Sequence, residues 1–172
     1  TDERLWQPQS DALAASVSQI KVADLGGADS IAALAASALA QAPAGSFAMA
    51  GLSMGGYVAM EIMRQAPGRV LGLALLDTSA RPDTPEATEN RRKAMALAET
   101  HYRAVIDALM PKLLHPSRLN EAALTGLVSD MALKAGKEVF QRQQSAIIGR
   151  PDSRPSLADI ACPTLVLCGR ED

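Results

Sequence analysis

The sequence predicts an α/β protein, in which helices pack on a parallel sheet and a wholly helical segment is inserted between two strands. Three observations support this prediction. The run Val70–Leu76 is apolar throughout, as in a strand buried on both faces of a parallel sheet. A shorter strand pattern at 46–50 precedes it, with a helical stretch between them, and this order implies right-handed crossovers. From about Glu86 to Gly149 only helical periodicity is present.

Composition indicates one globular domain and excludes several classes of protein. Of 172 residues, 48% are hydrophobic and 21% charged, which suffices for a packed core. The net charge of −2 gives no reason to expect nucleic acid or anionic membranes as partners. No run approaches the ~18 apolar residues of a membrane span, and the start Thr1-Asp-Glu-Arg-Leu is unlike a signal peptide.

The two cysteines, Cys162 and Cys168, are expected to remain free thiols. If 163–167 is a strand, they lie roughly 20 Å apart at about 3.3 Å per residue, whereas a disulfide needs Cα atoms within about 7 Å. Free thiols fit a reducing cytoplasm, which is the location we expect. The spacing of Cys and His also predicts no structural metal.

Before the strand pattern at 46–50, the sequence contains a weaker strand pattern and a helix. The strand pattern covers residues 20–24, and Asp29 or Ser30 provides a helix cap. The helix places one apolar face on the core, formed by Ile31, Leu34, Ala35, Ala38 and Leu39. Pro43 and Gly45 end it.

The run Gly51-Leu52-Ser53-Met54-Gly55 lies between a strand and a helix. G-x-S-x-G in this position is a nucleophile elbow, a tight turn that exposes a serine hydroxyl. Small neighbours are needed because the serine backbone is strained and larger side chains would clash. We therefore predict Ser53 as a nucleophile that forms an acyl-enzyme, with the Met54 N–H donating to the oxyanion. Gly55 and Gly56 are expected to allow close helix–strand contact.

After Asp77 the pattern becomes helical until a turn-rich segment, Arg150-Pro-Asp-Ser-Arg-Pro155, and a last strand at 164–167. These features, with Gly-Leu-Ser-Met-Gly-Gly and Cys-Pro-Thr-Leu-Val-Leu-Cys-Gly-Arg-Glu-Asp, resemble an α/β-hydrolase fold protein over essentially the whole chain. The similarity is closest to small bacterial esterase-like members with a helical cap between the sixth and seventh family strands. It implies an incomplete core at 1–80 and 151–172 and a cap at 81–150.

The resemblance also implies the catalytic acid and the position of the base. Asp172, three residues past Gly169, matches the acid that orients the imidazole and stabilises its charged form. Because the family triad runs serine, acid, histidine, the histidine is expected beyond Asp172, and the second oxyanion donor before Thr1. The sequence is thus expected to be an internal fragment lacking family strands one to three and eight, inactive alone.

Other polar residues have two interpretations each. Asp77 ends a strand as an alternative acid or as a loop hydrogen-bond acceptor. Neither His101 nor His115 is predicted as the base, since both lie in the helical insert. Gln143 and Gln144 face either a pocket or solvent, and Arg91-Arg-Lys93 is expected to be an exposed helix start.

The predicted function is hydrolysis of a small carboxylic ester, lactone or thioester without a cofactor, by a serine hydrolase. The same triad also supports C–C bond hydrolysis, acyl transfer or cofactor-free peroxidation, and the fold does not choose among them. A third hypothesis is a non-catalytic hydrolase-like protein that binds a ligand. The expected partner is an ester-like small molecule, and the sequence leaves the oligomeric state open.

Overall fold

The computed structural model describes residues 2–170 and forms a parallel three-stranded sheet in the order β1-β2-β3. The strands are β1 (Phe47–Leu52), β2 (Val70–Leu76) and β3 (Thr164–Leu167). The helices are α1 (Gln7–Leu13), α2 (Ile31–Gln41), α3 (Met54–Gln65), α4 (Pro85–Leu113), α5 (Ala122–Ala135) and α6 (Lys137–Ile148). Short 3-10 turns cover Glu3–Trp6, Pro67–Arg69, Pro116–Arg118 and Arg154–Asp159.

The strand register brings the carboxyl ends of all three strands to one edge of the sheet. Leu52 of β1 lies beside Leu76 of β2, which lies beside Leu167 of β3. Helix α3 connects β1 to β2, and helices α4 to α6 lie in the connection from β2 to β3. Consequently, the residues that follow the three strands are neighbours in space although they are distant in sequence.

The core lies between the sheet, α3 and α2, and it confirms the predicted face of α2. Helix α3 packs on β1 and β2, and α2 packs on α3. The buried cluster comprises Ile31, Leu34, Ala35, Ala38, Val58, Ala59, Met60, Ile62, Met63, Val70, Leu73, Leu75 and Ala146. Ser30 caps α2 by accepting a hydrogen bond from the Ala33 N–H at 3.3 Å, as one of the two predicted caps. Ala146 belongs to α6, so the helical insert contributes to this core.

The prediction that β2 is buried on both faces is wrong for part of the strand. Leu73 and Leu75 are buried, but Leu71 is 63% exposed. The neighbouring β3 is exposed along its whole length. The reason is that, within residues 2–170, β3 forms an edge of the sheet and helix α3 packs on β1 and β2.

The prediction of a strand at residues 20–24 is also wrong, because the described chain offers it no neighbouring strand. The backbone of Asp24 pairs instead with a side chain. Its N–H donates to Gln41 Oε1 at 2.8 Å, and Gln41 Nε2 donates to its carbonyl at 3.1 Å. The strand predicted at 46–50 is confirmed and extends to Leu52, directly into the elbow.

The helical insert between β2 and β3 is confirmed. Helix α4 is interrupted at His101, whose φ of −135° and ψ of 50° are not helical. Its inner face buries Ala98, Val105 and Ile106, and the Tyr102 ring packs at 5.7 Å from the Phe140 ring of α6. Within residues 2–170, no helix has the length and apolarity that a membrane span requires.

Candidate active site

Ser53 occupies a strained turn between β1 and α3. Its φ of 52° and ψ of −115° lie in the region that favours glycine, and such strain persists only where surrounding contacts enforce it. The Ser53 N–H donates to the Leu76 carbonyl at 2.9 Å. Its own carbonyl accepts from the Gly56 N–H at 2.9 Å and from Thr78 Oγ1 at 2.7 Å. The residue itself is exposed, so this conformation presents serine to solvent at the sheet edge.

Two of the three glycines around Ser53 are sterically required. A Cβ added to Gly51 would lie 2.3 Å from the Gly55 carbonyl oxygen and 2.7 Å from the Gly56 nitrogen. A Cβ on Gly56 would lie 2.3 Å from Thr78 Oγ1. By contrast, a Cβ on Gly55 meets no described atom within 4 Å. The predicted need for a glycine is therefore confirmed at Gly56 and wrong at Gly55, because a Cβ on Gly55 would point into open space.

Met54 is the first residue of α3. The first N–H groups of a helix have no intrahelical acceptor, and the partial positive charge of the helix N-terminus favours an anion there. The Met54 N–H therefore adjoins Ser53 at the helix end where an oxyanion is best stabilised. Its side chain packs against the core cluster. The oxyanion role itself stays a prediction.

Asp77, which follows β2, makes hydrogen bonds to the segment after β3. Its N–H donates to the Leu167 carbonyl at 2.9 Å, and its Oδ1 accepts from the Gly169 N–H at 2.8 Å. Its φ of 41° is also left-handed. Of the two interpretations of Asp77, these contacts favour the loop acceptor. Asp172 lies outside the described residues, so its role as the acid stays a prediction.

The two histidines of the insert make local contacts. His101 Nδ1 lies 2.7 Å from the hydroxyl of the adjacent Thr100, and His115 Nδ1 accepts from the Ser117 N–H at 3.2 Å. Both residues are exposed. Within residues 2–170, no group of three or more His, Cys, Asp or Glu side chains could hold a metal ion.

A buried charge cluster connects the two ends of the helical insert, and sequence reasoning missed it. The Asp83 side chain is 1% exposed and accepts hydrogen bonds from Arg150 at 2.7 Å and Arg91 at 3.2 Å. Thr88 donates to it at 3.0 Å, and Arg91 also donates to Gln144 Oε1 at 3.0 Å. We call these five residues the cap root. The predicted exposure of the helix start is thus wrong for Arg91, and Gln144 is a structural acceptor.

Electrostatics keep Asp83 ionised in the cap root. Burial alone would raise the pKa of this carboxyl, but the hydrogen bond from Arg150 and the positive charge of Arg91 outweigh it. The pKa of Asp83 is therefore lowered from its ordinary value. A sequence signal for this cluster exists, because the tripeptide Arg-Pro-Asp occurs at 81–83 and again at 150–152, at the two ends of the insert.

The cap root and a second set of bonds tie the insert to the core near Ser53. The guanidinium of Arg150 lies 4.5 Å above the ring of Tyr57, which is one helical turn beyond Ser53 in α3. Gln143 Nε2 donates to the Leu25 carbonyl at 3.1 Å, and Arg142 Nε donates to the Gly26 carbonyl at 2.8 Å. Gln143 therefore bonds to the loop before α2.

Comparisons with known proteins agree with this architecture. An esterase from Thermogutta terrifontis, solved with malate bound, is 30% identical with a TM-score of 0.83, and the match covers 98% of this chain and 67% of that chain. An enol-lactonase from Burkholderia xenovorans LB400 is 24% identical with a TM-score of 0.81, covering 99% and 69%. A hydrolase from Pseudomonas aeruginosa PA01 is 22% identical with a TM-score of 0.83, covering 98% and 68%. The latter two likenesses show the fold.

No curated protein sequence gave a match. The sequence pattern of the thioesterase domain family, however, matches residues 7–169. This match includes the elbow, the helical insert and β3. The chain therefore belongs to the thioesterase domain family, within the α/β-hydrolase superfamily.

Proposed function

We propose that the protein is a serine hydrolase that cleaves a small carboxylic ester, lactone or thioester through an acyl-enzyme on Ser53. The observation that carries this proposal is the exposed Ser53 in a left-handed turn at the carboxyl edge of the sheet, next to the start of α3. Ligands of open α/β sheets bind outside this edge. A nucleophile at this edge is accessible to substrate, while hydrogen bonds to Leu76, Gly56 and Thr78 hold its backbone.

The proposed reaction uses Ser53 and Met54 at the elbow together with a histidine that the family resemblance implies. Ser53 Oγ attacks the acyl carbon while a histidine, which the family resemblance places after Asp172, takes the hydroxyl proton. The carbonyl electrons move to oxygen, and the Met54 N–H stabilises the resulting oxyanion. Collapse of this intermediate expels an alcohol or thiol, which receives the proton from the imidazolium. Water then attacks the acyl carbon while the histidine takes its proton, and the bond to Ser53 Oγ breaks. Oγ recovers the proton, and the carboxylic acid is released.

Membership of the thioesterase domain family and the similarity to a 30% identical esterase support acyl substrates. Esters and thioesters share the planar acyl carbon that Ser53 attacks, and a lactone is a cyclic ester with the same carbonyl. The leaving group differs between them, but the oxyanion does not. We therefore propose that the bond cleaved is an acyl ester or thioester bond, and turnover measurements will identify the leaving group.

The test is covalent labelling and turnover with matched serine variants. In the full-length protein, a fluorophosphonate is expected to label Ser53, and Ser53→Ala is expected to abolish labelling. The same variant should lower turnover of p-nitrophenyl acetate by about 10⁴-fold or more, since removal of a nucleophile leaves only binding and oxyanion stabilisation.

The control is Ser46→Ala, which changes an exposed serine just before β1. It is expected to keep both labelling and turnover. Undiminished turnover in Ser53→Ala would contradict the nucleophile assignment. Binding of the ester by wild-type protein without labelling or turnover would instead support the non-catalytic ligand-binding alternative.

A further inference from the structure

Asp77 and Thr78 lie between the two segments that carry the proposed nucleophile and acid. Thr78 Oγ1 donates to the Ser53 carbonyl at 2.7 Å. Asp77 Oδ1 accepts from the Gly169 N–H at 2.8 Å, three residues before Asp172. Of these two consecutive residues, Thr78 therefore bonds to the residue after β1, and Asp77 bonds to the segment after β3.

Thr78 also contacts the first turn of α3. A Cβ built on Gly56 would lie 2.3 Å from Thr78 Oγ1 and 2.6 Å from its Cγ2, so the whole side chain lies directly against the Gly56 backbone. Thr78 thus restrains both the Ser53 carbonyl and the turn that begins with the Met54 N–H. Loss of its hydroxyl would free the elbow on one side.

Asp77 has the conformation that its bond requires. Its φ of 41° is rarely adopted by residues other than glycine, but Asp and Asn tolerate it when their side chains bond locally. The Asp77 N–H is bonded to the Leu167 carbonyl at 2.9 Å, and the carboxylate accepts from the Gly169 N–H two residues further along the same segment. Backbone and side chain together therefore hold residues 167–169 against the end of β2.

We propose that Asp77 and Thr78 are positioning residues: Thr78 holds the turn that carries Ser53, and Asp77 holds residues 167–169, the segment that precedes the proposed acid Asp172 in the sequence. This inference rests on the proposed function, and it assigns neither residue a contact with the reacting atoms. Thr78 acts through the elbow, whereas Asp77 acts through the segment that leads to the acid. The roles of Thr78 and Asp77 can be tested separately, because loss of each residue is expected to change a different property of the enzyme.

Loss of the Asp77 bond is expected to change the titration of the base. A correctly placed acid stabilises the imidazolium and so raises the pKa of the histidine. Displacement of Asp172 lowers that pKa, and the acidic limb of the pH profile of kcat/KM moves to lower pH. Loss of the Thr78 bond leaves the acid in place, so it slows attack by Ser53 without moving the limb.

The variants are chosen to keep the backbone conformation. Asp77→Gly removes the acceptor and tolerates the left-handed φ, whereas Asp77→Asn keeps an acceptor oxygen. Thr78→Val removes the hydroxyl but keeps the branched shape, and Thr78→Ser restores the hydroxyl. Full-length variants are compared by unfolding midpoint, fluorophosphonate labelling rate and the pH profile of p-nitrophenyl acetate turnover.

We expect Asp77→Gly to lower kcat/KM by about 10²-fold, the effect of roughly 1 Å of misplacement, and to move the acidic limb to lower pH. Asp77→Asn should retain most activity and the wild-type limb. Thr78→Val should slow labelling about tenfold with the limb unchanged, as for loss of a hydrogen bond of about 1.4 kcal/mol, and Thr78→Ser should recover most of the rate.

Three results overturn the inference. An unmoved limb in folded Asp77→Gly shows that Asp77 does not position the acid. A loss in Asp77→Asn as large as that in Asp77→Gly shows that Asp77 is itself the acid. An unchanged labelling rate in Thr78→Val removes the role of Thr78 and decides the case if Asp77→Gly does not fold. Absence of labelling in the wild type instead contradicts the proposed function.

Discussion

The elbow turn at Ser53 and the cap root are both held by several close contacts, but the forces involved differ. Ser53 is fixed by backbone hydrogen bonds and by the missing side chains of Gly51 and Gly56. The cap root is fixed by charge, through Asp83 and Arg150, whose side chains are 1% and 9% exposed. Steric restraint requires particular small residues at fixed spacing, whereas charge pairing uses common residues that lie 67 positions apart.

The two regions meet at α3. Arg150 of the cap root covers the Tyr57 ring at 4.5 Å, and Tyr57 lies one turn beyond the elbow. The elbow has its own bonds to Leu76 and Thr78, so it does not depend on the charges for its geometry. We therefore expect loss of the charges to reduce stability and cap placement more than it changes the reactivity of Ser53.

The largest expected effect is that of Asp83→Ala. Removal of one partner leaves Arg150 buried without its counter-charge, and such a change costs about 3–5 kcal/mol. We expect the free energy of unfolding, measured by urea denaturation, to fall by this amount. The labelling rate of Ser53 in the remaining folded protein should change much less.

The matched control is Asp107→Ala. Asp107 pairs with Arg103 at 3.0 Å on the surface of α4, with side chains 57% and 64% exposed. Exposed pairs at this spacing contribute about 0.3–0.5 kcal/mol. Similar losses in the two variants would show that burial adds nothing to the Asp83 pairs, and the contrast between charge and sterics would lose its basis.

The second effect in size is that of Gly51→Ala. The added Cβ meets backbone atoms of Gly55 and Gly56 at 2.3–2.7 Å, and these cannot move without displacing Ser53 and the start of α3. Overpacking of this kind costs about 1–3 kcal/mol, and we expect the upper end together with loss of fluorophosphonate labelling.

Gly55→Ala is the control within the same motif. Its Cβ meets no described atom within 4 Å, and its position is helical, so the unfolding free energy should rise by about 0.5–1 kcal/mol. If Gly51→Ala were as stable as Gly55→Ala, the backbone of the elbow would be more compliant than the distances indicate.

The same contrast explains how much the sequence could predict. Local rules were sufficient for the cap and buried face of α2, for the elbow and for the helical insert, because neighbouring residues determine them. The prediction of a strand at 20–24 was wrong because a strand needs a neighbouring strand to pair with, whereas the Asp24 backbone bonds to the Gln41 side chain. The cap root could not be predicted for a similar reason. Asp83 and Arg150 are common surface residue types, and they become partners only when the fold brings them together. Asp77 kept two interpretations until its bond to Gly169 was visible.

The smallest expected effect is a pH dependence of stability that distinguishes the buried carboxylate of Asp83 from the partly exposed carboxylate of Asp152. The pKa of Asp83 is lowered in the folded protein, so below its ordinary value of 3.8 the unfolded chain binds a proton that the native state does not. Stability from this group is therefore complete above about pH 5 and is lost as pH falls through 3.8 and below. Asp83→Asn removes the titrating group, so the difference in unfolding free energy between wild type and variant should shrink on acidification.

Asp152, whose side chain is 33% exposed, titrates in the same direction, because its hydrogen bond from Arg154 lowers its pKa to about 2. Added salt distinguishes the two carboxylates, since screening weakens exposed pairs much more than buried ones. The salt chosen is 0.5 M NaCl, about five times the ionic strength at which charges are already screened over ~10 Å. In this salt, the pH-dependent difference in unfolding free energy between wild type and variant should persist for Asp83→Asn and largely vanish for Asp152→Asn. Equal loss in both would mean that water reaches Asp83, and that the cap root is held by packing around the charges more than by the charges themselves.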